Sequence, residues 1–104
     1  MTDFQTRRVM MVDTQVRPSD VTKFPIIDAM LTVPREAYFP VALREAAYLG
    51  DNVDIGAGRV VLEARTLAKL LDALDIQPED VVLDLGCGLE IGRASCRERV
   101  LLMV

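Results

Sequence analysis

A helical pattern, a turn, an apolar run and a glycine pair follow one another without interruption in LAKLLDALDIQPEDVVLDLGCG, residues 67–88. Leu67, Leu70, Leu71 and Leu74 fall at i, i+3, i+4 and i+7, which predicts a helix over residues 64–76. Gln77-Pro78-Glu79-Asp80 has turn chemistry. Val81-Val82-Leu83-Asp84-Leu85 is almost continuously apolar, as expected of a parallel strand covered on both faces. Gly86 and Gly88 come straight after it. A glycine pair there permits a tight turn and lets a ligand approach the backbone closely. If a helix follows, its free N–H groups face the same crevice, where open α/β sheets hold nucleotide-type cofactors. The predicted fold class is therefore α/β.

Spacing narrows the choice of ligand. A dinucleotide fingerprint needs a third glycine where this chain has Ile91, and a phosphate loop needs a Lys followed by Ser or Thr, which is missing. What remains is Asp-Leu-Gly-x-Gly. Asp84 suits a cofactor carrying a cationic amino group better than one carrying a pyrophosphate, because a carboxylate accepts a strong hydrogen bond from such a group. Two plainer readings stay open. Gly86 and Gly88 serve equally well in a simple strand-to-helix turn, and Asp84 equally well as the cap of the next helix.

Composition excludes several classes of function. The chain has 104 residues, enough for one small domain or part of a larger one. With 51% hydrophobic and 27% charged residues it is not a low-complexity polymer. Twelve basic against sixteen acidic residues argue against a general nucleic-acid or anionic-membrane binder. No apolar run approaches the roughly 18 residues of a membrane span, and the N-terminus lacks a signal-peptide core, so a cytoplasmic location is expected. Without histidine there is no Ser-His-Asp or Cys-His arrangement and no Cys/His zinc site, and Cys87 and Cys96 cannot build a disulfide framework.

Before the glycine loop, the expected elements are mostly helical. Residues 3–16 have an amphipathic pattern, with Asp3 as N-cap and Phe4, Val9, Met10, Val12 and Val16 on the apolar side. Arg7-Arg8 reads as a solvated face. Arg17-Pro18 should end this helix. Ser19 or Asp20 is then a cap for a second segment whose Pro25 predicts a late start or a kink, with Ile26, Ile27, Met30, Leu31 and Val33 buried. Pro34 and Pro40 fit the first positions of two short helical turns, and Gly50 a C-terminal stop. Residues 51–58 are turn-rich, and Arg59–Leu62 is a possible strand. Tyr38, Phe39 and Tyr48 are expected in packing, and Met10, Met11 and Met30 as gap-fillers.

Three stretches of this chain resemble one family. They are MMVDTQVRPSDVTKFPIIDAML, VPREAYFPVALREAAYLGDN and RTLAKLLDALDIQPEDVVLDLGCG. In this order and spacing they resemble the protein-L-isoaspartate O-methyltransferases, most closely the bacterial ones, over residues 1–89. Val33–Pro40 and Val82–Gly88 carry most of the specificity. The resemblance implies a Rossmann-like methyltransferase fold with an N-terminal helical extension, of which this chain holds the first helix-strand-glycine-loop unit. It implies S-adenosylmethionine as methyl donor and, as partner, a protein or peptide with an isoaspartyl carboxylate as acceptor. The chemistry is mainly positioning, a carboxylate oxygen held in line with an activated methyl group, so neither metal nor strong base is required. Carried over residue by residue, Asp84, Gly86 and Gly88 match the cofactor motif. The implied division is an N-terminal, substrate-side extension over 1–62, the start of the cofactor domain over 63–89, and a tail over 90–104.

The chain also departs from the family pattern. Before the long helix the family reads approximately G-x-x-T-I-S-Q-P, with the serine at the catalytic site. With T-I-S-Q-P laid on Val60–Ala64, this chain has Leu62 at the serine position and Ala64 at the proline position. Leucine has no hydrogen-bonding group, so the serine's role does not transfer. Glu90 stands where the family has a further glycine, and a ribose-binding carboxylate is expected about 20 residues after the loop, past Val104. EIGRASCRERV, residues 90–100, resembles a translated sequencing adapter, so a non-native tail, a truncated fold and an inactive fragment are expected. A first strand without neighbours leaves apolar faces open, and the N-terminal helices should be the best-formed part. Two further readings are a divergent methyltransferase with another acceptor, which Leu62 motivates, and a non-catalytic helical interaction module, for which the strand and glycine loop have no use.

Overall fold

The computed structural model describes residues 3–56 and 58–82. Asp3 begins the first helix by accepting a hydrogen bond from the Thr6 N–H at 2.8 Å, as its capping chemistry predicts. Helix α1 spans Phe4–Met11 and runs on into a π-helical turn, Val12–Val16, in which the Arg17 N–H reaches the Val12 carbonyl. The wider turn departs from a 3.6-residue face. Met11, Val12 and Val16 therefore point inward, whereas Val9 and Met10, expected on the apolar side, are exposed.

Pro18 does not stop this path. Arg17 keeps right-handed helical angles, a 3-10 turn covers Arg17–Ser19, and the break comes at Asp20, whose φ is 67°. Ser19 does not cap the next helix, because its hydroxyl donates back to the Gln15 carbonyl at 2.8 Å. Helix α2, Phe24–Thr32, starts late, with Pro25 in its first turn and Lys23 as N-cap. Proline is tolerated there because the first helical N–H groups have no intrahelical partner. Ile27, Met30 and Val33 are buried, with Ile26 and Leu31 partly so, as their spacing predicts.

Two 3-10 turns follow, Arg35–Tyr38 and Val41–Ala46. Pro34 and Pro40 precede them as N-caps, one position earlier than expected, and their carbonyls accept from Ala37 and Leu43 at 2.9 and 2.8 Å. The second turn ends at Ala47, so Gly50 is not its stop. Within the turn-rich stretch lies a strand that its composition did not announce. Strand β1, Val53–Gly56, pairs antiparallel with β2, Arg59–Val61, with Val53 opposite Val61. Gly56 and Gly58 take φ of 94° and 73°, which side-chain-bearing residues rarely adopt.

Helix α3 spans Ala64–Leu74 and ends at Asp75, which has a left-handed φ of 51°. The Lys23 ammonium ties this end to the start of α2, 2.9 Å from Asp75 and 3.3 Å from Asp72. Gln77–Asp80 forms the expected turn, closed by the Asp80 N–H on the Gln77 carbonyl at 3.0 Å. Val81 and Val82 carry no strand, and the rest of the strand expected at 81–85 lies outside the described residues.

The core joins α1, the π turn, α2 and α3. Met11, Val12, Val16, Val21, Ile27 and Met30 meet Phe39, Tyr48, Val61, Ala64 and Ala68 there. The described architecture is thus mixed, helices around a small antiparallel hairpin. No described helix is long and apolar enough to cross a membrane.

Candidate functional site

The segment between α2 and the hairpin is held by buried charge. Arg8, on α1, is 8% exposed, so it is not the solvated residue expected of Arg7-Arg8. Its Nε donates to the Tyr48 hydroxyl at 2.9 Å, Nη1 to Gln5 at 2.9 Å, and Nη2 to Glu36 at 3.1 Å. The Tyr48 hydroxyl in turn donates to Glu36. Burial opposes the Arg8 charge, but the bonds to Tyr48 and Glu36 outweigh it and raise its pKa. For Glu36, burial likewise favours the neutral form, and the bonds from Tyr48 and Arg8 prevail, holding its carboxyl below the ordinary range. Burial and the bond to Glu36 push the Tyr48 phenol up. These residues come from positions 5, 8, 36 and 48, so the network fastens α1 onto the turns that follow α2.

Arg35 is the second buried cation, 4% exposed. Among the described residues its hydrogen-bond partners are carbonyls. Nε donates to Ala47 at 2.6 Å and Nη2 to Leu62, while the guanidinium lies 5.5 Å from the Phe39 ring centroid. Burial without a carboxylate lowers its pKa to about 10, so it stays charged at neutral pH.

The carbonyl that Arg35 holds belongs to Leu62. Leu62 itself is 36% exposed and lies between β2 and α3. The next N–H, of Glu63, donates to the Asn52 side-chain oxygen at 2.8 Å. Glu63 accepts from the Thr66 hydroxyl at 3.0 Å and pairs with Arg65 at 3.6 Å. Beside this segment is an open cleft of about 350 Å³, lined by Thr14, Gln15, Pro18, Ser19, Glu63 and Arg65, among others. Gln15 fixes its inner wall by donating to the Tyr48 carbonyl at 3.0 Å, and its own buried side-chain oxygen has no partner among the described residues. No cluster of three or more His, Cys, Asp or Glu suited to a metal occurs among the described residues.

Asp84, Gly86 and Gly88 lie outside the described residues, as does the stretch 90–104. Sequence reasoning singled out position 62 by resemblance alone and did not point to the residues that hold the 62–63 peptide group, Arg35 and Asn52. For Arg35 a signal existed, since it sits in the Val33–Pro40 segment that carries much of the family resemblance. For Asn52 there was none, because an Asp-Asn pair directly after Gly50 reads as turn chemistry.

Compared with known proteins, the sequence of this chain falls among the protein-L-isoaspartate O-methyltransferases. The family model described as Protein-L-isoaspartate(D-aspartate) O-methyltransferase (PCMT) matches residues 7–101. That match covers most of the chain, which belongs to this family. Among curated relatives, a protein-L-isoaspartate O-methyltransferase of Methylorubrum extorquens (strain PA1) is 37% identical over 81 residues, 78% of this chain and 36% of the relative. That of Syntrophus aciditrophicus (strain SB) is 35% identical over 88 residues, 85% of this chain and 40% of the relative. The chain thus spans about two fifths of the length of the curated relatives it matches.

Proposed function

We propose that this chain forms the N-terminal, substrate-side part of an S-adenosylmethionine-dependent methyltransferase that esterifies isoaspartyl carboxylates in damaged proteins. The observation that carries the proposal is the family match over residues 7–101. The Val33–Pro40 segment of the resemblance supports it, since its buried Arg35 and half-buried Glu36 hold the loops together. Residues 1–62 would form the substrate-side extension and 63–89 the start of a Rossmann-like donor-binding domain, while the family match runs on through residue 101, into the stretch 90–104 read from its composition as a non-native tail. We assign the donor to Asp84, Gly86 and Gly88, and its cationic amino group to Asp84. The donor supplies an activated sulfonium methyl group. The chain's own contribution is to bind and orient an acceptor carboxylate beside position 62. A cytoplasmic location fits this role.

Leu62 favours a second reading, a family member with a different acceptor. Its exposed side chain offers an acceptor no hydrogen bond where the family has a hydroxyl. Grafting residues 1–88 onto the remainder of the Methylorubrum extorquens relative provides the test. Transfer of labelled methyl to an isoaspartyl peptide, but not to the aspartyl isomer, is the expected result, with a gain of at least tenfold for Leu62→Ser. A graft that ignores the isoaspartyl peptide with either residue, while methylating another acceptor, would overturn the first reading in favour of the second.

A further inference from the structure

The Leu62 carbonyl and the Glu63 N–H belong to one peptide group, and each end of it is held by a different side chain. The Arg35 guanidinium donates to the oxygen, and the Asn52 side-chain oxygen accepts from the N–H at 2.8 Å. We propose that Arg35 and Asn52 are positioning residues that fix the plane of the 62–63 peptide and, through it, the direction in which side chain 62 meets an acceptor.

Three features of the molecule bear on this. First, Asn52 directly precedes β1 and Leu62 directly follows β2, and the ladder places Val53 opposite Val61. The Asn52 side chain therefore extends the hairpin's hydrogen bonding one step past the last strand pair, at the point where the chain turns into α3. Second, Arg35 is anchored independently of the hairpin, through its bond to the Ala47 carbonyl at 2.6 Å and its place over the Phe39 ring. A planar guanidinium with two fixed partners holds a third group in a set direction better than a flexible ammonium would. Third, Leu62 is partly exposed although its backbone is held at both ends of the following peptide. A fixed backbone beneath an exposed side chain is the arrangement that sets which acceptors fit.

The link to an acceptor rests on the methyltransferase reading; the clamp itself does not. Amide hydrogen exchange on the 104-residue chain examines the clamp without donor or acceptor. Asn52→Ala should speed exchange at Glu63 at least tenfold while leaving α1 amides unchanged. Asn52→Asp, which keeps an acceptor oxygen, should restore protection. Arg35→Lys should change the Leu62 methyl shifts, and the Asn52 pair remains informative if that variant fails to fold. Equal Glu63 exchange in wild type and Asn52→Ala would overturn the clamp. In the grafted enzyme, Asn52→Ala should raise KM for the acceptor about fivefold or more, leave KM for the donor unchanged, and be rescued by Asn52→Asp. An unaffected acceptor KM would overturn the positioning role while the methyltransferase reading stands. A graft inactive on every acceptor would overturn that reading, and the exchange result would still decide the clamp.

Discussion

The part of the chain before the hairpin and the helix after it bury different things. Between α1 and the turns after α2, the interior contains two arginines beside valine, isoleucine and methionine. Each guanidinium is supplied with several acceptors, from Gln5, Glu36 and Tyr48 for Arg8 and from two carbonyls for Arg35. Helix α3 buries small residues, Ala64 at 1% and Ala68 at 0%, while Leu70 and Leu74 remain 50% and 65% exposed. Short loops and 3-10 turns cannot be ordered by apolar contacts alone, since they leave many backbone groups to satisfy. Buried cations satisfy them and link distant segments at once. A helix satisfies its own backbone, so α3 can pack Leu67 and Leu71 partly against the core and leave Leu70 and Leu74 exposed among the described residues.

If that contrast is right, substitutions in the first part should matter far more than those at the exposed leucines of α3. Arg35→Ala strands two carbonyls and opens a void, and should cost about 3 kcal/mol or more, read as a lowered urea midpoint by circular dichroism. Val16→Ala, at a position with 0% exposure, should cost about 2 kcal/mol by the same measurement. Tyr48→Phe removes one acceptor from Arg8 and one donor from Glu36, for about 1 kcal/mol. On the other side, Leu74→Lys should change stability by no more than about 0.5 kcal/mol. A large loss there would show that α3 is covered after all, and the contrast would break.

Acidity sharpens the comparison at Glu36. Its carboxyl titrates below the ordinary value of 4.5 because Tyr48 and Arg8 hold the ionised form. A depressed native pKa contributes stability that is fully present above the unfolded value and is lost as pH falls through the native one. Stability should therefore decline below about pH 4.5, and Glu36→Gln should flatten that decline. An unchanged acid profile in the Gln variant would place the sensitivity elsewhere.

Much of this was legible in the amino-acid order, but unevenly. Helical periodicity located α3 because its leucines repeat at fixed intervals, yet periodicity did not say which neighbours the face would meet. Capping chemistry placed the start of α1, and the effect of Pro25 on α2 was equally local. The π turn at Val12–Val16 was not legible, since it changes the inward face without a glycine or proline to mark it. Nor was the burial of Arg8, because its partners Glu36 and Tyr48 stand 28 and 40 positions away. At the candidate site, position 62 was singled out by resemblance alone. Its clamp was not legible, because Arg35 and Asn52 meet it only through the fold.

Native-state hydrogen exchange across the whole chain is the most direct comparison of the two parts. The buried-charge account predicts that amides of α1 and α2 exchange at least tenfold more slowly than those of Leu70–Leu74, and that Arg35→Ala erases the difference by loosening the first part. Equal protection of all three helices, unaltered by Arg35→Ala, would contradict it.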